Sequence, residues 1–331
     1  MERTADPSAL LSVRNLSVSF SDAAGTLQAV DNVSFDVRDG EVFGIVGESG
    51  SGKTVSLMSI MGMIESPGMK VSGAALFRGR DLLKLSPAEL SRIRGREIGF
   101  VFQNPLSSLN PVMKIGAQIA EAPVFHGLIG RRQAKEFAIH MLELVGIENP
   151  EKRVNDYPHQ FSGGMRQRAM IAIAISCGPK LLVCDEPTTA LDVTVEQKIL
   201  ELLLGLRDSR KIAIALITHD LTVAMNCADR ISVMYGGAVM ERGSAAQILR
   251  NPLHPYTREL FAANLESGRR RSRGEEETPA APSAFLRREG CPFVPAGAPP
   301  FVSRSFLVPA DGEPGHEVNR LHLDAFAGGF A

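Results

Sequence analysis

The stretch GESGSGKT, Gly47 to Thr54, follows the spacing G-x-x-x-x-G-K-[ST]. It stands between an apolar run, EVFGIVG, and a segment with helical character, which is the setting that spacing needs to mean a phosphate-binding loop. Backbone N–H groups across Gly47, Glu48, Ser49, Gly50, Ser51 and Gly52 would cradle phosphates, helped by the positive end of the following helix. Lys53 would reach the β- and γ-phosphates, and the Thr54 hydroxyl would ligate Mg²⁺. Farther along, LLVCDEP sets Asp185 and Glu186 at the end of an apolar run. Open parallel sheets bind ligands at the carboxyl ends of their strands, so these acids are expected beside the loop. Asp185 would hold the Mg²⁺ shell, and Glu186 would polarise an attacking water as general base. Gln103 after IGFVF and His219 after IALIT end two other apolar runs, so Gln103 could touch the metal or the water and His219 the γ-phosphate. A further stretch, FSGGMRQR, opens a helix with Ser162, Gly163 and Gly164, a second phosphate holder in one chain.

Those residues need a scaffold, and the pattern around them supplies one. LLSVRNLSVSF and AVDNVSFDV alternate apolar and polar residues, as half-buried antiparallel strands do. EVFGIVG, KLLVCDEP and KIAIALITHD are continuous apolar runs, the signature of strands buried on both faces. A helix is expected from about Thr54, and a short one at LSPAELSRIRG, where Ser86 and Glu89 are spaced as a capping box. EIGFVFQNP reads as a strand that Pro105 stops. From about 105 to 160 strand patterns vanish, and RRQAKEFAIHMLELVGI places Phe137, Met141, Leu144 and Val145 at helical spacing. MRQRAMIAIAIS and VEQKILELLLGLRDS read as helices, and ISVMYGGAVMERG as a hairpin turning at Gly236-Gly237. Strands alternating with helices imply an α/β fold with a mostly parallel sheet. Beyond about Asn251, proline, glycine, alanine and charge blocks such as RRRSRGEEE replace periodicity, which reads as solvated linker.

Composition bounds the partners. The chain has 331 residues, 44% hydrophobic and 22% charged, with a formal net charge of -1. That is an ordinary globular balance with no electrostatic footprint for nucleic acid. Four cysteines, Cys177, Cys184, Cys227 and Cys291, are widely spaced, as suits a reducing cytosol. No apolar run approaches the ~20 residues of a bilayer span, so membrane work would need other subunits.

In order along the chain, the phosphate loop, Gln103, FSGGMRQR, LLVCDEPTTALD and ITHD resemble the ATP-binding subunits of ABC transporters, over roughly residues 10 to 250. The resemblance implies a P-loop fold with N-terminal antiparallel strands, a mostly parallel core sheet and an inserted helical subdomain at about 105–165, together covering 1–250. It implies ATP hydrolysis with Mg²⁺ by two domains packed head to tail. Ser162, Gly163 and Gly164 would then contact the γ-phosphate of ATP held by the partner domain. Leu191 and Asp192 would lie in the loop crossing between the two sites, and His219 would be the switch residue. Such proteins place an aromatic ring before the phosphate loop to stack on adenine; here GTLQAVDNVSF offers Thr26 and Leu27, with Phe20 as a substitute.

FQNPLSSLNPVMKIGAQIAE, YPHQFSGGMRQR and NPLHPYTREL are similar to the dipeptide/oligopeptide import subfamily, whose relatives include nickel importers. That likeness implies a paralogous second ATPase, two membrane permeases, an external solute-binding protein and a place on the cytoplasmic face of the bacterial inner membrane. The permease would dock on the stretch after Gln103, up to about Val112. A nickel or other small-solute importer, or a non-transport ABC ATPase, are the alternatives. Longer members end in a four-cysteine region associated with an iron–sulfur cluster. Here EGCPFVPAGAPP keeps Cys291, but Gly297 and Arg320 stand at cysteine positions, so no cluster is expected. The extension 251–331 is therefore read as degenerate and, after about Gly268, loosely ordered.

Overall fold

A computed structural model describes residues 9–23, 25–189, 191–272, 307–310 and 314–319. The chain opens with β1 (Ala9–Asp22), β2 (Gly25–Arg38), β3 (Val42–Val46), α1 (Lys53–Ile60), β4 (Met69–Phe77) and β5 (Arg80–Asp81). Its middle runs through α2 (Pro87–Ile93), β6 (Ile98–Val101), α3 (Pro105–Ser108), α4 (Ile115–Phe125), α5 (Ala134–Leu144), α6 (Pro150–Arg153) and α7 (Gly163–Ile175). There follow β7 (Leu181–Asp185), α8 (Val193–Arg210), β8 (Ala213–Thr218), α9 (Leu221–Cys227), β9 (Arg230–Tyr235) and β10 (Ala238–Ser244). Last come α10 (Ala245–Arg250), α11 (Pro255–Ser272), β11 (Leu307–Pro309) and β12 (Glu317–Asn319). The alternation is that of an α/β fold, and it divides into two compact units.

The first unit gathers residues 1–36, 43–83 and 218–331. One of its sheets has the order β2-β1-β4-β5, with β1 and β4 antiparallel. Along β2, Val33, Phe35 and Val37 are buried while Ser34 and Asp36 between them are half-buried, the period-2 pattern read from the sequence. A register shift between Arg14 and Ser17 brackets Asn15, which stands at φ +48°, so β1 bulges there. In the other sheet β3 and β9 pair in parallel, and β9 turns into β10 antiparallel. The hairpin closes in two residues, Gly236 at φ +53° and Gly237 at φ +85°, both in the left-handed region that this tight turn needs. Phe35 of β2 stacks on Phe43 of β3 at 5.5 Å, joining the two sheets in one core.

The second unit holds residues 37–42 and 84–217. Parallel strands β6, β7 and β8 are buried almost throughout, as continuous apolar strands covered on both faces must be. Helix α7 lies directly on β6: a Cβ on Gly99 would stand 2.3 Å from the Ala174 carbonyl oxygen. Between β6 and α7 the described elements are helical, and α5 buries Ala138, Met141 and Leu142. Its neighbour α4 is pinned at its start, where Ile115 N donates to Asp156 O at 2.9 Å and Gly116 N to Val154 O at 3.0 Å. The capping box read at Ser86 and Glu89 is present at the start of α2.

Where a linker was expected after about Asn251, the described residues of the extension form regular elements. Residues 255–272 form helix α11, which carries the first arginines of the RRRSRGEEE block. Farther on, β12 pairs antiparallel with β10, and β11 with β12. Buried polar contacts hold these pieces where apolar periodicity is lacking: Arg242 of β10 pairs with Glu317 of β12 and donates to the Ser34 carbonyl at 2.7 Å. Cys291, Gly297 and Arg320 lie outside the described residues.

Candidate functional site

In the first unit the phosphate loop leaves β3 and enters α1. Its glycines are forced by close approaches: a Cβ on Gly47 would lie 2.1 Å from the Met234 carbonyl oxygen. One on Gly52, at φ +94°, would lie 2.5 Å from that of Ala29. The β9–β10 turn closes over the loop, with Gly237 N donating to Ser51 O at 3.1 Å. Glu48, Ser49 and Gly50 are exposed at its crest, and Thr54 follows Lys53 into the first turn of α1. Gly52 caps that helix without a side chain, leaving its first backbone N–H groups directed out of its N-terminus. Lys53 is only 4% exposed. Its ammonium donates to the carbonyl oxygens of Gly47 at 2.6 Å and Glu48 at 2.7 Å, and to Ser51 Oγ at 3.4 Å. A buried cation is thus paired with three oxygens at the mouth of the loop. His219, exposed, belongs to this same unit and stands just before Asp220, which caps α9 by accepting from Thr222 N at 2.7 Å.

The carboxylates belong to the second unit. Asp185 is the last residue of β7 and is buried at 4% exposure. Glu186 follows at φ +45°, a left-handed backbone unusual for glutamate, with its N–H bound to Ile217 O at 2.9 Å. Pro187 then occupies the second place of a turn closed by Thr189 N to Glu186 O at 3.2 Å. The Glu186 carboxylate is held on one oxygen by two donors: Gln103 Nε2 at 2.8 Å and Thr189 Oγ1 at 2.9 Å. Gln103 and Glu186, each just past the end of a strand, are therefore in direct contact. Thr189 was missed; a threonine hydroxyl in a turn carries no spacing signal of its own.

Ser162 is the N-cap of α7, its hydroxyl accepting from Met165 N at 3.3 Å. Ser162 and Gly163 are exposed. A Cβ on Gly163 would meet Leu191 Cδ2 at 3.7 Å, and one on Gly164 would meet Val195 Cγ1 at 2.8 Å. The signature glycines thus let the start of α7 sit against Leu191 and the first turn of α8, which Asp192 caps by accepting from Val195 N at 2.9 Å. A glycine-rich helix start that faces outward can meet an anion brought from outside the unit. Of the adenine candidates, Thr26 and Leu27 are exposed on β2 and Phe20 is half-buried on β1.

The chain is similar to known proteins along most of its length. Residues 30–189 match the family described as "ABC transporter", and residues 240–296 match "Oligopeptide/dipeptide transporter, C-terminal region". The oligopeptide transport ATP-binding protein OppD of Bacillus subtilis is 50% identical over 276 residues, 82% of this chain and 76% of that one. The dipeptide transport ATP-binding protein DppD of Escherichia coli is 46% identical over 287 residues, 87% of this chain and 88% of that one. Among solved structures, the ATP-binding cassette MJ0796, as a post-hydrolysis dimer bound to ADP and Pi, superposes with a TM-score of 0.64. It is 28% identical and covers 71% of this chain and 98% of that one. The cbiO1 protein of Clostridium perfringens, part of the transporter complex cbiONQ, gives a TM-score of 0.62 at 25% identity, over 74% and 92%. This chain belongs to the ABC transporter ATP-binding proteins, ATP-hydrolysing subunits of the group that carries the oligopeptide/dipeptide C-terminal region.

Proposed function

We propose that this chain hydrolyses ATP to power import of di- or oligopeptides through a membrane permease complex. The observation that carries the chemistry is the Glu186 carboxylate, fixed at the end of β7 by Gln103 and Thr189. A carboxylate so oriented accepts the proton of the water that attacks the γ-phosphorus. Lys53, held at the loop mouth, turns to the β- and γ-phosphates, whose negative charge outcompetes neutral carbonyls. His219 reads the γ-phosphate. The loop of Gly47, Glu48, Ser49, Gly50, Ser51 and Gly52 offers backbone N–H groups to the phosphates, that of Glu48 being held instead by the Tyr256 hydroxyl.

The donor set suits Mg²⁺. Thr54 hydroxyl, Asp185 carboxylate and Gln103 amide are hard oxygen ligands. Among the described residues no cluster of three or more His, Cys, Asp or Glu could hold a metal. When bound, the ion neutralises charge developing on the phosphate oxygens.

The exposed Ser162–Gly163 start of α7 would close on the ATP of a second, paralogous ATPase domain, which supplies the same element in return. Two permease subunits would dock after Gln103, where Leu106 is 61% and Val112 80% exposed. No described helix is long and apolar enough to cross a membrane, so a peripheral place on the cytoplasmic face rests on those permeases. An external solute-binding protein would choose the cargo. Relatives named for oligopeptide and dipeptide transport support peptide as that cargo.

The test is Glu186→Gln in the assembled complex. ATP binding should stay within about 2-fold while turnover falls by about 10²–10⁴-fold, the usual share of a general base. Hydrolysis at the wild-type rate would remove Glu186 from that role. The tagged variant, captured from native membranes with ATP, should bring two permeases and a second ATPase; ribosomes alone would overturn the transport reading. The ligand on a co-captured binding protein separates peptide from nickel.

A further inference from the structure

The stretch Leu253-His254-Pro255-Tyr256 starts α11 by a set of fitted contacts, all within the first unit. His254 Nδ1 accepts the backbone N–H of Tyr256 at 3.1 Å, so the imidazole acts as the helix N-cap. Pro255 takes the first helical position, where a missing N–H costs nothing. The turn in front is clamped by Glu241 of β10, itself 0% exposed. Its Oε1 accepts Leu253 N and its Oε2 accepts His254 N, both at 2.9 Å. From the far end of the extension, His316 Nε2 reaches the same carboxylate at 2.6 Å. Helix α11 is thereby fixed to β10, and through His316 to the strand that follows it in β12.

What this fixes is Tyr256. Its ring is 2% exposed and lies against Tyr235, the last residue of β9, with ring centroids 4.5 Å apart. Its hydroxyl accepts the backbone N–H of Glu48 at 3.1 Å. Glu48 is the second residue of the phosphate loop, and its carboxyl feels the same helix. Burial pushes that carboxyl's pKa up, Lys53 pulls it down, and Glu259, one turn beyond Tyr256, pushes it up again. A phosphate loop binds by presenting aligned N–H groups, and any alignment already present need not be created on binding.

We propose that Tyr256 is a positioning residue of the phosphate loop, so that docking of the C-terminal extension on β10 sets nucleotide affinity. The inference rests on the loop's role in binding ATP. It makes the extension a support of the ATP site, acting through the Glu48 backbone.

The test uses the full-length chain, titrated with a fluorescent ATP analogue and competed with ATP. Tyr256→Phe keeps the ring and removes only the hydroxyl. It should weaken ATP binding about 3- to 10-fold, the span of one neutral hydrogen bond, with a thermal midpoint within about 2 °C of wild type. His254→Ala should weaken binding similarly. His254→Asn, which retains a capping acceptor, should restore it, and Tyr256→Phe added to His254→Ala should cost less than about 2-fold more. Wild-type affinity in Tyr256→Phe, or a lowered midpoint with unchanged affinity, would overturn the inference and leave Tyr256 a packing residue. Failure of the wild-type chain to bind ATP would instead remove the reading of the loop itself, and the inference with it.

Discussion

At Glu186 the backbone stands at φ +45° while two side chains hold the carboxylate. A left-handed conformation costs a non-glycine residue roughly 1–2 kcal/mol, so it persists only where surrounding contacts enforce it. Here the bond to Ile217 O and the Pro187 turn enforce it, aiming the carboxylate off the end of β7. Thr189→Val removes one of the two donors and keeps the shape. It should lower turnover about 3- to 10-fold with ATP affinity unchanged, as one hydrogen bond's worth of misorientation predicts. Equal turnover in a steady-state ATPase assay of the complex would show that Gln103 alone orients Glu186. The residues of this site were legible to unequal degrees. Lys53, Thr54, Asp185 and Glu186 stood out because their chemistry is written in local spacing and in the apolar runs they terminate. Thr189 and Tyr256 did not, because each acts through a contact that only the folded chain brings about, in Tyr256's case across 208 positions.

Among the elements, those with continuous apolar runs were readable: β3, β7 and β8 are buried along their length. β4 escaped because its first half, from Met69 to Gly73, is largely exposed and its register is set by β1 rather than by its own pattern. α11 escaped for a related reason: its hold on the protein is a polar N-cap and two apolar residues one turn apart, Tyr256 and Leu260, too few to read as a stripe. The packing of α7 on β6 was invisible as well, since it depends on what Gly99 lacks. Gly99→Ala places a methyl group 2.3 Å from the Ala174 carbonyl, which is backbone and cannot rotate aside. The helix must move off the strand, at a cost of about 1–3 kcal/mol in the denaturant-derived stability of the chain. Because α7 also presents Ser162 and Gly163, ATPase activity of the complex should fall as well; unchanged stability would show that α7 is free to shift without loss.

In the molecule as a whole, the described parts of the extension are α11, β11 and β12. The family match for the C-terminal region begins at residue 240, inside β10, and runs to residue 296. His316 binds a carboxylate that is 0% exposed, and His316 is itself 0% exposed. Replacing it with alanine removes one hydrogen bond to that buried group and should cost about 1.5–3 kcal/mol. Urea unfolding followed by circular dichroism measures this, and an unchanged midpoint would mean that water takes the imidazole's place. The pairing of Glu241 with His316 spans 75 positions, and this gives the chain a schedule. At 5–20 residues per second, a ribosome needs about 4 to 15 s to travel that distance. Through that interval β10 has left the ribosome before the strand that covers its outer edge has been made. Synthesis must therefore carry a bare strand edge and a half-partnered buried acid, and slowed or arrested translation in this window would lengthen the time for which nascent chains can stick to one another.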